Sequence, residues 1–468
     1  MSYFAATTQP RVVAFFVFFI VTGSSLAALL FGGWLNASHS IQFLGITLNA
    51  LFGLFAVGIV LYTPFAQQIS TAQLFIFAIA LRVLSLCLYP LLEDDYFRYL
   101  WDGFQTHISG SPYSKAPFDF FPGDGLSQRW QDILSGINNP DLKTIYGPVL
   151  QYLFLLSYWI SPGDLAPLQV LLAIWDVLIL AVLTQQKTRK SFLLAYAIHP
   201  MILQEAIASA HPDILLGGLL LFALLAWRSG RPFLTGTLLA LACSSKISAI
   251  VAIPFLLIPA SQNHLSLGQL SFMKRFRCTW QWSVKLVIAF IVALLALYAP
   301  LVSVGQSELE SLFVFGQDWR FNPLLYRVLE LVISQSGSAD ITRFFCATLL
   351  VSLALFLFSH QWMAKFNYDT PPILIILIAL LLLSPVVNPW YWLWVLPIAT
   401  FLERRLLVLV LPTATVSYWN TNTLQEIGWI EYSAPSFVVP WAITLFQVSI
   451  FALALVVEWQ LTHYRSKH

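Results

Sequence analysis

Charge is what this chain has least of. Of its 468 residues only 10% are Asp, Glu, Lys or Arg, while 58% are hydrophobic. Ordinary soluble domains carry roughly 25% charged residues. A water-soluble fold of this size could not cover itself with so few charges, which excludes a cytosolic enzyme and a disordered chain. The charges also nearly cancel, 24 Lys+Arg against 22 Asp+Glu. No basic field exists to hold a nucleic acid. Cysteine is scarce: Cys87, Cys243, Cys278 and Cys346 stand far apart, with no CxxC and no Cys/His cluster. A zinc site or a disulfide framework is not expected, and the four read as small buried hydrophobes. Neither GxxxxGK[ST] nor GxGxxG occurs, so a standard nucleotide cradle is missing. No internal repeat is visible.

What the chain has in abundance is long apolar runs, and its mean hydropathy is +0.76. A membrane span takes about 20 apolar residues. Clear candidates begin near residues 12, 41, 70, 191, 213, 283, 339, 371, 405 and 437, with shorter or interrupted ones at 146–161, 167–185, 233–260, 323–333 and 389–402. The sequence therefore predicts an all-α polytopic membrane protein of about 11–14 spans, with residues 1–468 as one transmembrane domain. The apolar run from about Val12 to Gly33 is too long for a signal-peptide core and reads as a retained first span.

Orientation follows from Lys and Arg in short loops. Lys187/Arg189/Lys190, Lys274/Arg275/Arg277, Arg404/Arg405 and Arg465/Lys467 should be cytoplasmic. Residues 93–145 hold eight acids and four bases, a net of −4, and belong on the outer side. Parity then requires 146–161 to be re-entrant or half-depth, and 233–260 to break near Ser244-Ser245-Lys246. Both breaks must be buried in protein, because exposed backbone is not tolerated in lipid. This threading gathers Glu93-Asp94-Asp95, His211-Pro212-Asp213, Lys246, Trp319-Arg320-Phe321-Asn322 and Asn388-Pro389-Trp390-Tyr391 at one membrane face.

Within the outer loop, Phe97, Leu100, Trp101, Phe104 and Ile108 form one helical stripe, while Asp94, Arg98 and Asp102 lie at i, i+4 and i+8 on another face. The pattern predicts an amphipathic interfacial helix with its aromatic side at headgroup depth. A second short helix is expected at about Ser127–Leu134. A carboxylate at such a surface can act as general base or bind a divalent cation, and Arg98 beside it can clamp phosphate. The alternative is structural: Asp94 or Asp95 caps the helix and Arg98 forms an i+4 ion pair. Elsewhere, Arg82 and Asp176 form a candidate intramembrane pair, and Arg327 and Glu330 a helix-surface pair. Lys246 either snorkels or binds phosphate.

The stretch Asp94-Asp95-Tyr96-Phe97-Arg98-Tyr99-Leu100-Trp101-Asp102-Gly103 resembles the DD-x-x-RYLWDG signature of polytopic GT-C-type glycosyltransferases. It is most like bacterial polyprenyl-phosphate-sugar mannosyltransferase-like proteins. Ser111-Pro112-Tyr113 to Ala116-Pro117 resembles that family's NPY-x-x-AP, and Tyr146-Gly147-Pro148 its YPP. His199-Pro200, Glu205 and His211-Pro212-Asp213 resemble NP…E…GHND, with Pro212 in place of Asn. Lys246 matches a lysine in a short helical break. Trp319-Arg320-Phe321-Asn322 matches W-x-FN, and Ser384-Pro385 to Pro389-Trp390-Tyr391 resembles SP…HPWY, with Asn388 in place of His. The resemblance runs from about residue 70 to 400.

The resemblance implies a GT-C core with short helices in the first large outer loop. It implies a hexosyl transfer, by analogy mannosyl, from a polyprenyl-phosphate donor to a glycan or lipid acceptor, with inversion. The base would be Asp94 or Asp95. Arg98, Lys246 and Arg320 would stabilise the leaving lipid phosphate. Asp102, Tyr113, Tyr146, His211, Asp213, Asn322, Trp390 and Tyr391 are the candidate substrate-binding residues. No metal ligand is assigned, although a divalent cation is compatible. Membrane lipids are expected partners and nucleic acid is not. The location implied is a bacterial inner membrane with the site on the periplasmic side. Two alternatives stay open: a lipid or solute transporter, although no repeat or mid-depth polar cluster supports it, and an inactive scaffold, to which Pro212 and Asn388 point.

Overall fold

The computed structural model describes residues 39–88, 90, 93–260, 271–302, 307–333, 339–363, 371–426 and 438–467. The expected first span, about Val12 to Gly33, lies outside the described residues. Among the described residues there are nineteen α-helices and no strand. Helices α1 (His39–Tyr62) and α2 (Thr71–Leu86) precede the polar loop, which carries α3 (Asp95–Ser109) and α4 (Gln128–Ser135). Then come α5 (Pro148–Ile160), α6 (Ala166–Gln185), α7 (Lys190–Ala197), a π-helix (Met201–Ala208), α8 (Asp213–Arg228), α9 (Pro232–Ser245) and the single turn α10 (Ile253–Leu256). Helices α11 (Phe272–Tyr298), α12 (Leu309–Asp318), α13 (Leu325–Ile333), α14 (Ala339–Trp362) and α15 (Pro372–Leu383) lead to a 3-10 segment, Pro389–Trp394. The chain continues through α16 (Leu396–Phe401), α17 (Arg405–Val410), the 3-10 segment Leu411–Tyr418, α18 (Thr421–Glu426) and α19 (Trp441–Lys467).

The protein is an all-α polytopic membrane protein. Four helical stretches, Ala166–Gln185, Phe272–Tyr298, Asp340–Trp362 and Trp441–Glu458, are long and apolar enough to cross a bilayer. Lys190–Ala197 and Met201–Ala208 make a fifth if the pair, bent by 44°, is one span. Seven shorter apolar helices fall at other expected spans, two of them in 233–260, while the spans expected near 213 and at 323–333 and 389–402 have no counterpart among these seven. Large apolar side chains such as Trp280, Val292 and Leu295 on α11, and Phe344 and Leu355 on α14, face outward. That inside-out surface is what lipid requires and water would not tolerate. Helix α8 is apolar all round and buried almost along its whole length, so it forms the centre against which α9 and the 389–394 segment pack.

Several devices bring distant polar residues together. Helix α5 has only 13 residues, roughly 20 Å of helix, which is short of the ~30 Å hydrocarbon core of a bilayer. At its start, Gly147 lies so close to the end of α9 that an added Cβ would stand 2.2 Å from the Ser244 carbonyl oxygen. Only glycine permits that approach. Helix α9 then ends, as expected, at Lys246, whose backbone is extended before a 3-10 turn begins at Ile247. Farther on, Phe321 and Val386 form a parallel bridge, with Phe321 N–H donating to the Pro385 carbonyl and Val387 N–H to that of Phe321. This clasp joins Trp319–Asn322 to Asn388–Tyr391.

Between α2 and α6, Arg82 Nε donates to Asp176 Oδ2 at 2.8 Å, as the two lone intramembrane charges suggested. Tyr196 O–H donates to Asp176 Oδ1 at 2.7 Å. Removing one partner of a buried pair strands the other charge and costs about 3–5 kcal/mol. Asp176→Ala is therefore predicted to lose folded protein in size-exclusion yield, and Arg82→Leu/Asp176→Leu to recover it. Additive damage in the double variant would show that the two do not act as a pair.

Four expectations need correction. The α3 aromatic stripe does not face headgroups: Leu100, Trp101 and Phe104 are buried. Phe104 stacks on Trp130 of α4, and Trp101 meets Phe120 edge-on. The loop folds back and covers its own helix, so only Ile108 of the stripe stays exposed. Asp94 stands at the N-cap but makes no capping bond. Arg327 does not pair with Glu330, which is taken by Arg320 at 2.7 Å. Arg327 instead sits over the Trp441 ring and donates to Thr444. Finally, Cys243 and Cys346 are buried but Cys87 and Cys278 are exposed.

Candidate active site

A cavity of about 840 Å³ opens where the acidic loop meets the broken end of α9 and the 319–321 and 388–391 clasp. Its wall takes Glu93, Asp94, Asp95 and Arg98 from the start of α3, and Asn138 to Tyr146 from the end of the loop. Lys246, Trp319, Arg320, Trp390 and Tyr391 complete the sides, with Tyr418, Asn420 and Thr423 beyond them.

The two aspartates differ in environment. Asp94 Oδ1 accepts a hydrogen bond from Asn138 Nδ2. Burial raises the Asp94 carboxyl, and that hydrogen bond partly offsets it. Asp95 is raised from its usual 3.8 to about 6, chiefly by burial, then by the neighbouring Asp94 charge, with Lys246 pulling the other way. Tyr99 O–H donates to it. Glu93 is pushed well above its ordinary range by burial and by the adjacent aspartates. A carboxylate poised near 6 is a competent base at neutral pH. Carboxylate oxygens of Glu93, Asp94 and Asp95 lie within 4.8 Å of one another, close enough to share a divalent cation.

Each cation of the wall already holds an acid. Arg98 Nε donates to Asp102 at 3.0 Å, and its Nη2 to the Leu142 carbonyl at 2.9 Å. Lys246 Nζ donates to Asp213 Oδ1 at 2.8 Å and lies 4.0 Å from the Tyr391 ring centroid. Arg320 pairs with Glu330, and Lys143 with Glu310 at 3.3 Å. These pairs fix the cations in position while leaving further N–H donors for an anion.

Of the candidate residues, Asp94, Asp95, Arg98, Lys246, Arg320, Tyr146, Trp390 and Tyr391 meet in this cavity. Asp102, Tyr113, His211, Asp213 and Asn322 are not in its wall. Asp102 is fully buried and accepts from Thr144 and Gln151 as well as Arg98. Its carboxylate ties α3 to α5. Tyr113 O–H donates to the Tyr146 carbonyl at 3.1 Å. Asp213 is the counter-ion of Lys246 and also accepts from Trp394 Nε1 at 2.6 Å. Asn322 adopts φ 46 and bonds the Val387 carbonyl, so it serves the clasp. His211 lies beneath the wall, stacked on Trp390 at 3.7 Å between centroids.

Sequence reasoning missed Asn138, Tyr418, Asn420 and Thr423. The first follows the second loop helix in Asn138-Asn139-Pro140, and a doubled amide before proline is a turn signal that gave no hint of a cavity. The other three lie in Tyr418-Trp419-Asn420-Thr421-Asn422-Thr423, a polar interruption between apolar stretches that deserved the weight given to the other interruptions.

The model of a family described as alpha-(1->6)-mannopyranosyltransferase, N-terminal domain, matches residues 12–261. That stretch includes the acidic motif and Lys246 and stops before the 319–322 and 384–391 motifs. Comparison with curated proteins and with solved structures returns no match.

Proposed function

The chain belongs to the alpha-(1->6)-mannopyranosyltransferase family, and we propose that this membrane glycosyltransferase moves mannose from a polyprenyl-phosphate donor to a hydroxyl of a glycan or lipid acceptor, with inversion. The observation that carries the reading is the tuned Asp94–Asp95 pair in one cavity wall with Lys246, Arg98 and Arg320. The acceptor oxygen attacks the anomeric carbon. Its proton passes to Asp95. The bond from that carbon to the phosphate oxygen breaks, and polyprenyl phosphate leaves with the electron pair.

Charge develops on the phosphate as the bond breaks, so fixed cations lower the barrier by binding it more strongly in the transition state. Lys246 and Arg320 fill that role, with Arg98 contributing its remaining N–H. Trp390 and Tyr391 supply flat apolar walls for a sugar ring. Asp94, held by Asn138, orients the acceptor. We place the cavity on the periplasmic side of a bacterial inner membrane, in a GT-C architecture, because a lipid-borne donor suits a compartment without nucleotide sugars. A cation at Glu93–Asp95 is compatible with the wall and is not needed for these steps.

The test is transfer from radiolabelled short-chain polyprenyl-phosphate-mannose by purified protein in detergent, with a panel of acceptors. Wild type is compared with Asp94→Asn, Asp95→Asn and Arg98→Ala. No transfer by wild type, but lipid binding that survives both carboxamides, would favour a transporter or scaffold.

The pH dependence follows from the same carboxylate. Asp95 acts only when ionised, so kcat/KM should fall about tenfold per pH unit below about 6 and level off above it. Stability runs the other way. The folded state holds the Asp95 proton more tightly than an open chain, so this group's contribution to stability declines as pH rises from 3.8 to about 6. A flat rate profile from pH 5 to 7 would remove Asp95 from the base role.

A further inference from the structure

A chain of polar groups lies directly beneath the acidic wall. Tyr99 O–H donates to Asp95. The Tyr99 hydroxyl oxygen is 3.3 Å from His211 Nδ1. His211 Nε2 faces Glu205 Oε2 at 3.8 Å, and both side chains are wholly buried. Tyr418, back at the cavity, donates its hydroxyl hydrogen to Glu205 Oε2 at 2.8 Å. His211 Nε2 and Glu205 Oε1 have no hydrogen-bond partner. Glu205 sits in the π-helix Met201–Ala208, and His211 N–H closes onto the Glu205 carbonyl at 3.0 Å. A π-turn inserts one residue into the helical register, and such turns concentrate at functional sites.

The polarity of this chain is determined by hydrogen counting. Tyr99 has one hydroxyl hydrogen, which Asp95 receives in competition with the Tyr146 hydroxyl, and in either case it is spent away from His211. The Tyr99 oxygen must then accept from His211, which places the imidazole hydrogen on Nδ1 and leaves a lone pair on Nε2. A lone pair facing a buried carboxylate would repel it. A carboxylic acid on Glu205 resolves the conflict. Its O–H donates to Nε2 while the same oxygen accepts from Tyr418. A shift of roughly 0.8 Å brings 3.8 Å to ordinary hydrogen-bond length.

We propose that Glu205 is a positioning residue for the base: as a neutral acid it fixes His211 in the Nδ1–H tautomer, and His211 in turn holds the Tyr99 hydroxyl hydrogen on Asp95. This rests on the reading of Asp95 as the base. The chain leaves the second Asp95 oxygen free for the acceptor hydroxyl and holds the carboxylate against the pull of Lys246. The flat stack of His211 on Trp390, with 10° between rings, keeps the imidazole from rotating out of line.

The experiment is steady-state transfer from radiolabelled polyprenyl-phosphate-mannose by the full chain in detergent, read separately as kcat and KM. Glu205→Met, His211→Phe and Tyr99→Phe should each lower kcat by about 10–100-fold with KM unchanged, the scale usual for groups that orient a reacting one. Glu205→Gln, whose amide nitrogen still donates to Nε2 although it cannot also accept from Tyr418, should restore part of the kcat that Glu205→Met loses. Equal kcat in the Gln and Met variants, or a rise in KM in place of the fall in kcat, overturns the proposal. If Glu205→Met and His211→Phe fail to fold, Tyr99→Phe, which deletes one hydroxyl, decides alone. Asp95→Asn separates the two readings. Activity kept in Asp95→Asn defeats the base assignment. Activity lost there but kept in Tyr99→Phe defeats only the positioning chain.

Discussion

Asp95→Asn should lower kcat by about a thousandfold and raise the melting temperature. The first effect is the loss of a general base, worth roughly 10²–10⁴. The second follows from the same environment. Asp95 is held near 6 by burial and by the Asp94 charge, so at neutral pH its ionised form opposes folding. A carboxamide of the same shape removes that charge and still accepts from Tyr99. Lower activity with higher stability cannot come from partial unfolding, which would lower both. Asp94→Asn should cost far less, about tenfold. Its Oδ1 is bound to Asn138, and a carboxamide oxygen keeps that bond. The two carboxamides therefore discriminate between neighbours that the sequence could not separate. If the thousandfold loss falls on Asp94→Asn and Asp95→Asn turns over normally, the base is Asp94 and the tuned carboxylate is a bystander.

The limits of the sequence reading have physical causes. The break at Lys246 and the shortness of 146–161 were legible because lipid imposes strict length and parity on apolar runs. The Arg82–Asp176 pair was legible because two lone charges inside a membrane have few other partners. The aromatic stripe of α3 was read correctly as a stripe and placed wrongly. Periodicity says which residues share a face, not whether lipid or a returning loop covers it. Trp130 and Phe120, which bury Phe104 and Trp101, are separated from α3 by turns whose path no local rule predicts. The same limit applies to Asp102, Tyr113 and Asn322. Each was a candidate by residue type, but its partners are set by packing: Asp102 to Thr144 and Gln151, Tyr113 to the Tyr146 backbone, Asn322 to the Val387 carbonyl. Polar residues in a membrane protein must be satisfied somewhere, and many that look reactive in one dimension are spent on that requirement.

Lys246→Met should lower kcat by about 10²–10³-fold, the usual cost of losing one fixed donor to developing anionic charge. Lys246 is the best-held cation of the wall. Its Nζ is 2.8 Å from Asp213 Oδ1 and lies over both the Tyr391 and Trp394 rings, at 4.0 and 5.2 Å. Only one of its three ammonium hydrogens is taken by Asp213. The others remain for a phosphate oxygen in the cavity that Lys246 lines. The single variant carries a second effect. It leaves Asp213, 3% exposed at the side chain, with Trp394 as its main remaining donor. An unpaired buried carboxylate is strongly destabilising, so Lys246→Met should also melt early. Lys246→Met/Asp213→Asn removes that penalty. The double variant should recover the melting temperature and stay as inactive as the single one. Asp213→Asn alone keeps an acceptor for Trp394 and leaves the ammonium free, so it should retain most activity while letting Lys246 wander and KM for the donor rise. If the double variant recovers activity together with stability, Lys246 serves only as the counter-ion of Asp213, and the leaving phosphate must be held by Arg98 and Arg320.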